Sequence, residues 1–258
     1  MGGIALRWTT AAAALVGCAL AGCEIATRSA APEIPVGGTT EWVDTAHGRI
    51  KTKVYATETV GDSPILLIVL HGDLPIPPPS YQYSFAQAVT EGYDAVPMPE
   101  PVRAGLGEAF RYTDIVAAGI LRPGYTDADG DRSDGEMGYA VTDNFTPEVV
   151  DPVAEVIAHL QAEYRARAVV LAGHSGGAAI SANVLGRHPE LADGALLVAC
   201  GCDPDAFYAR RRLTDPDPYW NQPNPSLRPL VLAAEVPNDT RVRMVVGDQD
   251  ELLPMTQA

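Results

Sequence analysis

The chain has 258 residues, and its 33 acidic and 18 basic side chains give a formal charge of −15. A protein that binds nucleic acid needs a basic surface, so this balance argues against that class, and an anionic membrane surface would repel the folded part. Hydrophobic residues make up 47% of the chain, which is enough for one large domain with a substantial core.

The N-terminus has the features of a secretory signal peptide. Arg7 is the only charge before a short apolar stretch, residues 9–22, which is too short to cross a membrane comfortably and is followed by Cys23. The small residues before Cys23 resemble a bacterial lipobox, and this resemblance implies that the Cys23 thiol is acylated and becomes the mature N-terminus. We therefore predict a lipoprotein signal peptide over residues 1–22 and a flexible tether over 23–38. The lipid would anchor the protein to a membrane of the bacterial cell envelope, facing outward; ordinary secretion or a plain apolar anchor are the alternatives.

Residues 39–258 alternate apolar segments with segments of helical periodicity, and we assign them to one domain. The apolar segments predict strands at residues 42–45, 50–57, 65–70, 115–121, 168–171, 195–200 and 241–246. The predicted helices are residues 80–91, 147–164, a segment that follows residue 177 and ends near 187, and 226–234. This alternation predicts an α/β fold in which helices cover both faces of a mostly parallel sheet. The polar segment 203–225 is predicted to form a small cap.

A Gly-x-Ser-x-Gly pattern, residues 173–177, lies directly between a predicted strand and a predicted helix. Such a junction presents the serine at the end of the sheet, and its glycines let strand and helix approach closely. The N-terminus of the helix favours the negative charge that develops when a serine attacks a carbonyl. The pattern therefore predicts Ser175 as a nucleophile.

Four motifs follow predicted strands in a fixed order along the chain: His71-Gly72, Arg122-Pro123-Gly124-Tyr125, Gly173-His174-Ser175-Gly176-Gly177 and Gly247-x-x-Asp250-x-x-x-Pro254. With these motifs the chain resembles the α/β-hydrolase superfamily of serine hydrolases over about residues 50–256. It is most similar to the peptidase-like and dienelactone-hydrolase-like esterases. The resemblance implies cleavage of an ester, amide or peptide bond in a small-molecule or peptide acyl substrate, through an acyl-enzyme intermediate and without a cofactor. A catalytically inactive lipoprotein that uses this fold for binding is the alternative.

The resemblance also implies a role for each motif. The backbone N–H of Gly176, with one from Asp73 or Leu74, would form the oxyanion hole for the carbonyl that Ser175 attacks. Asp250 would orient and stabilise the catalytic imidazole. Two further carboxylates, Asp248 and Asp203, are weaker candidates for this acid.

The base that should activate Ser175 is harder to assign. In the superfamily the catalytic histidine follows the acid, but none of the eight residues after Asp250 is a histidine. None of the five histidines is a convincing substitute; if one of them did serve as the base, His71 would be the most plausible, since it lies beside the predicted oxyanion loop. We therefore expect a helix, a last strand and the histidine loop beyond residue 258. We expect the chain as written to be C-terminally incomplete, nearly inactive and poorly stable, with residues 241–246 as an open sheet edge.

An acidic loop follows the second motif. Asp127, Asp129 and Asp131 resemble the start of a calcium loop, but Arg132 stands where such a loop needs glycine. We predict a solvated loop without a metal ion, and we expect Arg122 to pair with one of its carboxylates. Two other residues, Cys200 and Cys202, could either form a disulfide or remain buried thiols.

Overall fold

The computed structural model describes residues 34–73, 79–92, 113–139 and 144–250. The predicted signal peptide, Cys23 and Leu74 lie outside the described residues. The end of the predicted tether lies within them and contacts the domain: Ile34 packs against the core, and the N–H of Gly37 donates to Oε1 of Glu91 at 2.7 Å.

Seven strands form one sheet in the order β1-β2-β4-β3-β5-β6-β7. Their bounds are β1 Thr39–Thr45, β2 Gly48–Ala56, β3 Ile65–Leu70, β4 Ile115–Ile120, β5 Ala168–His174, β6 Gly194–Val198 and β7 Arg241–Val245. The first two strands pair antiparallel with their neighbours, whereas β4, β3, β5, β6 and β7 are mutually parallel. The prediction of a mostly parallel sheet is confirmed.

The helices are α1 Tyr81–Glu91, α2 Pro147–Glu163, α3 Gly176–Arg187, α4 Pro204–Thr214 and α5 Pro229–Leu232, with 3₁₀ turns at Pro218–Asn221 and Ala233–Glu235. The predicted helix at 226–234 was too long. Arg228 is extended because a residue before proline is disfavoured in the helical region, so α5 begins only at Pro229. No helix in the described parts of the chain is long and apolar enough to cross a membrane.

Alternate residues of β3 face opposite sides of the sheet, and both sides are covered. Leu66, Ile68 and Leu70 are buried in a core shared with α2 and α3, whereas Val69 is buried in a second core shared with α1. A strand that is apolar at every position belongs to such a two-sided layer. The prediction of helices on both faces is therefore confirmed.

The parallel strands all end at the same edge of the sheet. This edge brings together the segments that follow the strands, which are residues 71–73, 122–125, 175–176, 199–203 and 246–250. Clefts at this edge are where open α/β sheets bind ligands. Of the described strands, β7 lies at one end of the sheet, where Met244 and Val245 are each 48% exposed.

Candidate active site

Ser175 is the single residue between β5 and α3. Its backbone has φ 54° and ψ −120°, a conformation that side chains with a Cβ seldom adopt. Its N–H donates to the carbonyl of Val198 at 2.8 Å, and its own carbonyl accepts from Ala178 and Ala179 in the first turn of α3. The side chain is half-buried. This strained strand–helix junction has the geometry of a nucleophile elbow.

Asp73 and Gly176, two of the predicted oxyanion-hole residues, are neighbours. A Cβ on Gly176 would clash with the carboxylate of Asp73 and lie 2.8 Å from Nη1 of Arg122. A larger residue directly after Ser175 would therefore have to displace the Asp73–Arg122 ion pair. The third predicted donor, Leu74, lies outside the described residues, and the oxyanion roles themselves stay predictions.

Arg122 binds Asp73 and not the acidic loop, so its expected pairing was wrong. Nη1 donates to Oδ1 of Asp73 at 2.8 Å and to the carbonyl of His71 at 3.1 Å, and both charged side chains are buried. The physical reason is the sheet order. Because β4 and β3 are parallel neighbours, the residues after them meet at one edge, whatever their separation in sequence.

His71 is fully buried, and both of its ring nitrogens are engaged. Nδ1 lies 2.8 Å from the carbonyl of Gly72, and Nε2 accepts the backbone N–H of Arg122 at 3.1 Å. The tautomer that satisfies both bonds carries its proton on Nδ1. Burial, with a smaller contribution from the Arg122 charge, holds the pKa of His71 well below its usual value. His71 thus fastens the loop after β3 and is a poor substitute for the catalytic base.

His174 is the histidine that adjoins the nucleophile. Its Nδ1 lies 2.9 Å from the hydroxyl of Tyr81, and the ring is exposed on its other side. Burial lowers the pKa of His174, while the charges of Asp250 and Asp73 oppose this effect. The remaining histidines lie elsewhere: His47 follows β1, His159 is exposed on α2, and His188 binds Asp151 at 2.9 Å.

The three candidate acids differ in their surroundings. Asp250 is half-buried in the turn after β7, close enough to His174 for its charge to be felt there. Asp248 is exposed. Asp203 caps α4, since its Oδ1 accepts the N–H of Ala206 at 2.9 Å. Asp250 is therefore the best placed of the three, although its catalytic role stays a prediction.

The acidic loop holds a cation that the sequence analysis missed. Nζ of Lys51, in β2, lies 2.6 Å from Asp127, 2.7 Å from Asp131 and 3.5 Å from Asp129. Lys51 and Asp127 are buried, so the prediction of a merely solvated loop was wrong. Burial alone would lower the pKa of Lys51, but its hydrogen bonds to these carboxylates raise it. No group of acidic, histidine or cysteine side chains in the described residues is arranged to hold a metal ion.

The polar segment after β6 has its own aromatic cluster. Phe207 and Tyr208 of α4 pack with Trp220, and their rings meet edge to face. Cys200 and Cys202 form a disulfide within the short connection between β6 and α4, which decides between the two alternatives for these cysteines. Whether the segment forms a cap over the site stays a prediction.

The parallel sheet and the elbow that carries Ser175 are the defining parts of an α/β hydrolase. Residues 126–256 match the model of a family described as serine aminopeptidase, S33. This match spans more than half of the chain, so the chain belongs to this family, and the family indicates a hydrolase. No curated protein matches the chain.

Solved structures show the same fold at low sequence identity. An α/β serine hydrolase without a lid from Xanthomonas campestris is 16% identical, with a TM-score of 0.52 over 88% of this chain and 78% of that one. Est1E from Butyrivibrio proteoclasticus, solved with ferulic acid, is 14% identical, with a TM-score of 0.53 over 84% and 82%. An acylaminoacyl peptidase from Pyrococcus horikoshii is 12% identical, with a TM-score of 0.56 over 85% and 33%.

Proposed function

We propose that this hydrolase is a serine hydrolase that cleaves an ester, amide or peptide bond through an acyl-enzyme on Ser175. The observation that carries the proposal is the backbone of Ser175, which stays in a strained conformation between β5 and α3. Strain of this kind persists where the surrounding fold imposes it, and it clusters at catalytic residues. Membership of a family named for serine aminopeptidases supports the same reaction class.

In the proposed reaction, Oγ of Ser175 attacks the acyl carbonyl carbon while a general base takes the hydroxyl proton. The carbonyl π electrons move to the oxygen, which the N–H groups of Gly176 and the Asp73 loop stabilise. Collapse of the tetrahedral intermediate breaks the bond to the leaving alcohol or amine, which receives the proton. Water then attacks the acyl-enzyme in the same way and releases the acid. Asp250 would stabilise the protonated base.

A fluorophosphonate probe tests the proposal, because covalent labelling needs an activated serine. In keeping with the near-inactivity expected from the sequence, we expect the 258-residue chain to be labelled only slowly at Ser175 and the Ser175→Ala variant to remain unlabelled. Ser181→Ala is the matched control, since Ser181 lies in α3 and bonds to the carbonyl of Gly177 at 2.8 Å. A folded chain that stays unlabelled would instead favour the non-catalytic binding function.

We further propose that the hydrolase acts at the bacterial cell envelope, anchored through lipid on Cys23. The small residues before Cys23 support this location, and so does the Cys200–Cys202 disulfide, because disulfides form in oxidising compartments. Cys23→Ser should move the protein out of the membrane fraction or block its processing, whereas Cys18→Ser should do neither. Mass spectrometry of the mature N-terminus checks the modification, and an unmodified or different N-terminus would rule it out.

A further inference from the structure

The hydroxyl of Tyr81 lies between the two segments from which the proposed active site is built. Tyr81 is the first residue of α1, and its Oη accepts a hydrogen bond from the N–H of Gly72 and lies 2.9 Å from Nδ1 of His174. The rings of Tyr81 and His174 pack edge to face with centroids 5.7 Å apart. Gly72 precedes Asp73 in the loop after β3, and His174 precedes Ser175 in the elbow. One hydroxyl therefore bridges both segments.

The same hydroxyl lies beside Gly72, where the loop after β3 passes the nucleophile. A Cβ on Gly72 would lie 3.0 Å from Cβ of Ser175 and 3.4 Å from both Nδ1 of His174 and Oη of Tyr81. The three side chains thus surround one small space beside the backbone of Gly72. The Tyr81 bridge therefore lies where the loop after β3 passes closest to the Ser175 side chain.

We infer that Tyr81 is a positioning residue, which holds the loop after β3 at a fixed distance from the Ser175 elbow. The inference rests on the proposed function, in which the oxyanion meets N–H groups from both segments. Asp73 lies on the first segment and Gly176 on the second, so both donors reach the oxyanion only at the correct spacing. A shift of about 1 Å in such a site can lower the rate about 100-fold.

In this bridge the Tyr81 hydroxyl accepts a hydrogen bond from Gly72 and donates one to His174. Burial raises the pKa of Tyr81, so the hydroxyl keeps its proton at neutral pH. The lowered pKa of His174 favours a neutral ring, so Nδ1 can accept a hydrogen bond from the Tyr81 hydroxyl while the Tyr81 oxygen accepts one from the N–H of Gly72. Phenylalanine at position 81 would fill the same space but would leave both partners without this bond.

The test is the rate of fluorophosphonate labelling of the full chain, resolved into probe binding and the covalent step. For Tyr81→Phe we expect the covalent rate constant to fall about 10- to 100-fold, with little change in the probe concentration for half-saturation. The final labelled fraction should be unchanged, because the variant still folds. Tyr83→Phe is the matched control: it lies on the same helix, but its hydroxyl bonds to Asp127 at 3.2 Å, and its covalent rate should equal that of the native chain.

A double-mutant cycle with His174→Ala separates positioning from a general loss of structure. Because both residues act through one bridge, the combined variant should lose much less rate than the product of the two single losses. Native covalent rates in Tyr81→Phe, or fully additive losses, would overturn the inference while Ser175 labelling and the proposed function stand. If the native chain is not labelled at all, the proposed function fails and the inference fails with it.

Discussion

At the scale of single residues, the backbone conformation that the proposed reaction requires of Ser175 lowers the stability of the fold. A positive φ with ψ near −120° is accessible to glycine but crowds any Cβ against the backbone. The fold imposes this conformation through the N–H bond to Val198 and the start of α3. The serine is therefore retained at a cost in folding free energy.

Replacing Ser175 by glycine should release this strain. We expect Ser175→Gly to raise the free energy of unfolding by about 1 to 2 kcal/mol relative to Ser175→Ala, because alanine keeps the Cβ. Urea denaturation followed by circular dichroism measures the difference, and both variants should lack fluorophosphonate labelling. Equal stability of the two variants would show that the elbow is not strained.

The roles of residues that depend on the adjacent sequence could be predicted. The roles that depend on the order of the strands in the sheet could not. The position of Ser175 between a strand and a helix follows from adjacent residues. The bond from Arg122 to Asp73 depends on which strands are neighbours in the sheet, and the sequence does not state this. Tyr81 was missed for the same reason, since its partners Gly72 and His174 come from two different strand ends.

At the scale of elements, Lys51 joins β2 to the acidic loop that follows β4. Its ammonium group lies among three carboxylates, and Asp127 in turn accepts the N–H groups of Asp129 and Asp131 and the hydroxyl of Tyr83. The loop thus closes around a charge supplied by the sheet. The sequence did not predict this cation, because Lys51 meets the loop only through the pairing of β2 with β4.

Removal of this ammonium should leave Asp127 buried without its counter-charge. We expect Lys51→Met to lower the free energy of unfolding by about 3 to 5 kcal/mol, as is typical when one partner of a buried ion pair is removed. Lys53→Met is the matched control on the same strand, since Lys53 is only half-buried and should cost less than about 1 kcal/mol. Similar losses for both variants in urea denaturation would contradict a special role for the Lys51 network.

The bounds of a helix or strand were predictable where a single sequence feature, such as an apolar run, determined them. The apolar run of β3 gave both of its ends correctly, and the helical face of α2 was identified because its apolar residues recur at helical spacing. The segment at 226–234 failed because helical propensity competed with the restriction that Pro229 places on Arg228. In that segment the proline, and not the apolar periodicity, determines where the helix begins.

At the scale of the whole molecule, the buried His71 couples the stability of the domain to pH. Burial lowers the pKa of His71, which is fully buried, and also that of His174, although the ring of His174 is exposed on one side. The unfolded chain then binds protons more readily than the folded chain below the ordinary histidine pKa of about 6.5. The stabilising contribution is fully present above that pH and is lost as the pH falls toward the folded-state values.

The free energy of unfolding should therefore decrease between pH 6.5 and about pH 5, by up to about 1.4 kcal/mol per pH unit from His71, and the exposed His174 should contribute much less. His71 should dominate, because both its nitrogens bond to backbone groups and protonation would break the bond that Nε2 accepts from Arg122. Urea denaturation at several pH values measures the slope. His71→Gln should flatten it and lower stability at neutral pH, and His159→Gln, at an exposed position of α2, is the matched control. Equal stability of the native chain at pH 7.5 and pH 5 would mean that His71 is already accessible to protons in the folded state, and the loop after β3 would then not be fastened as its hydrogen bonds indicate.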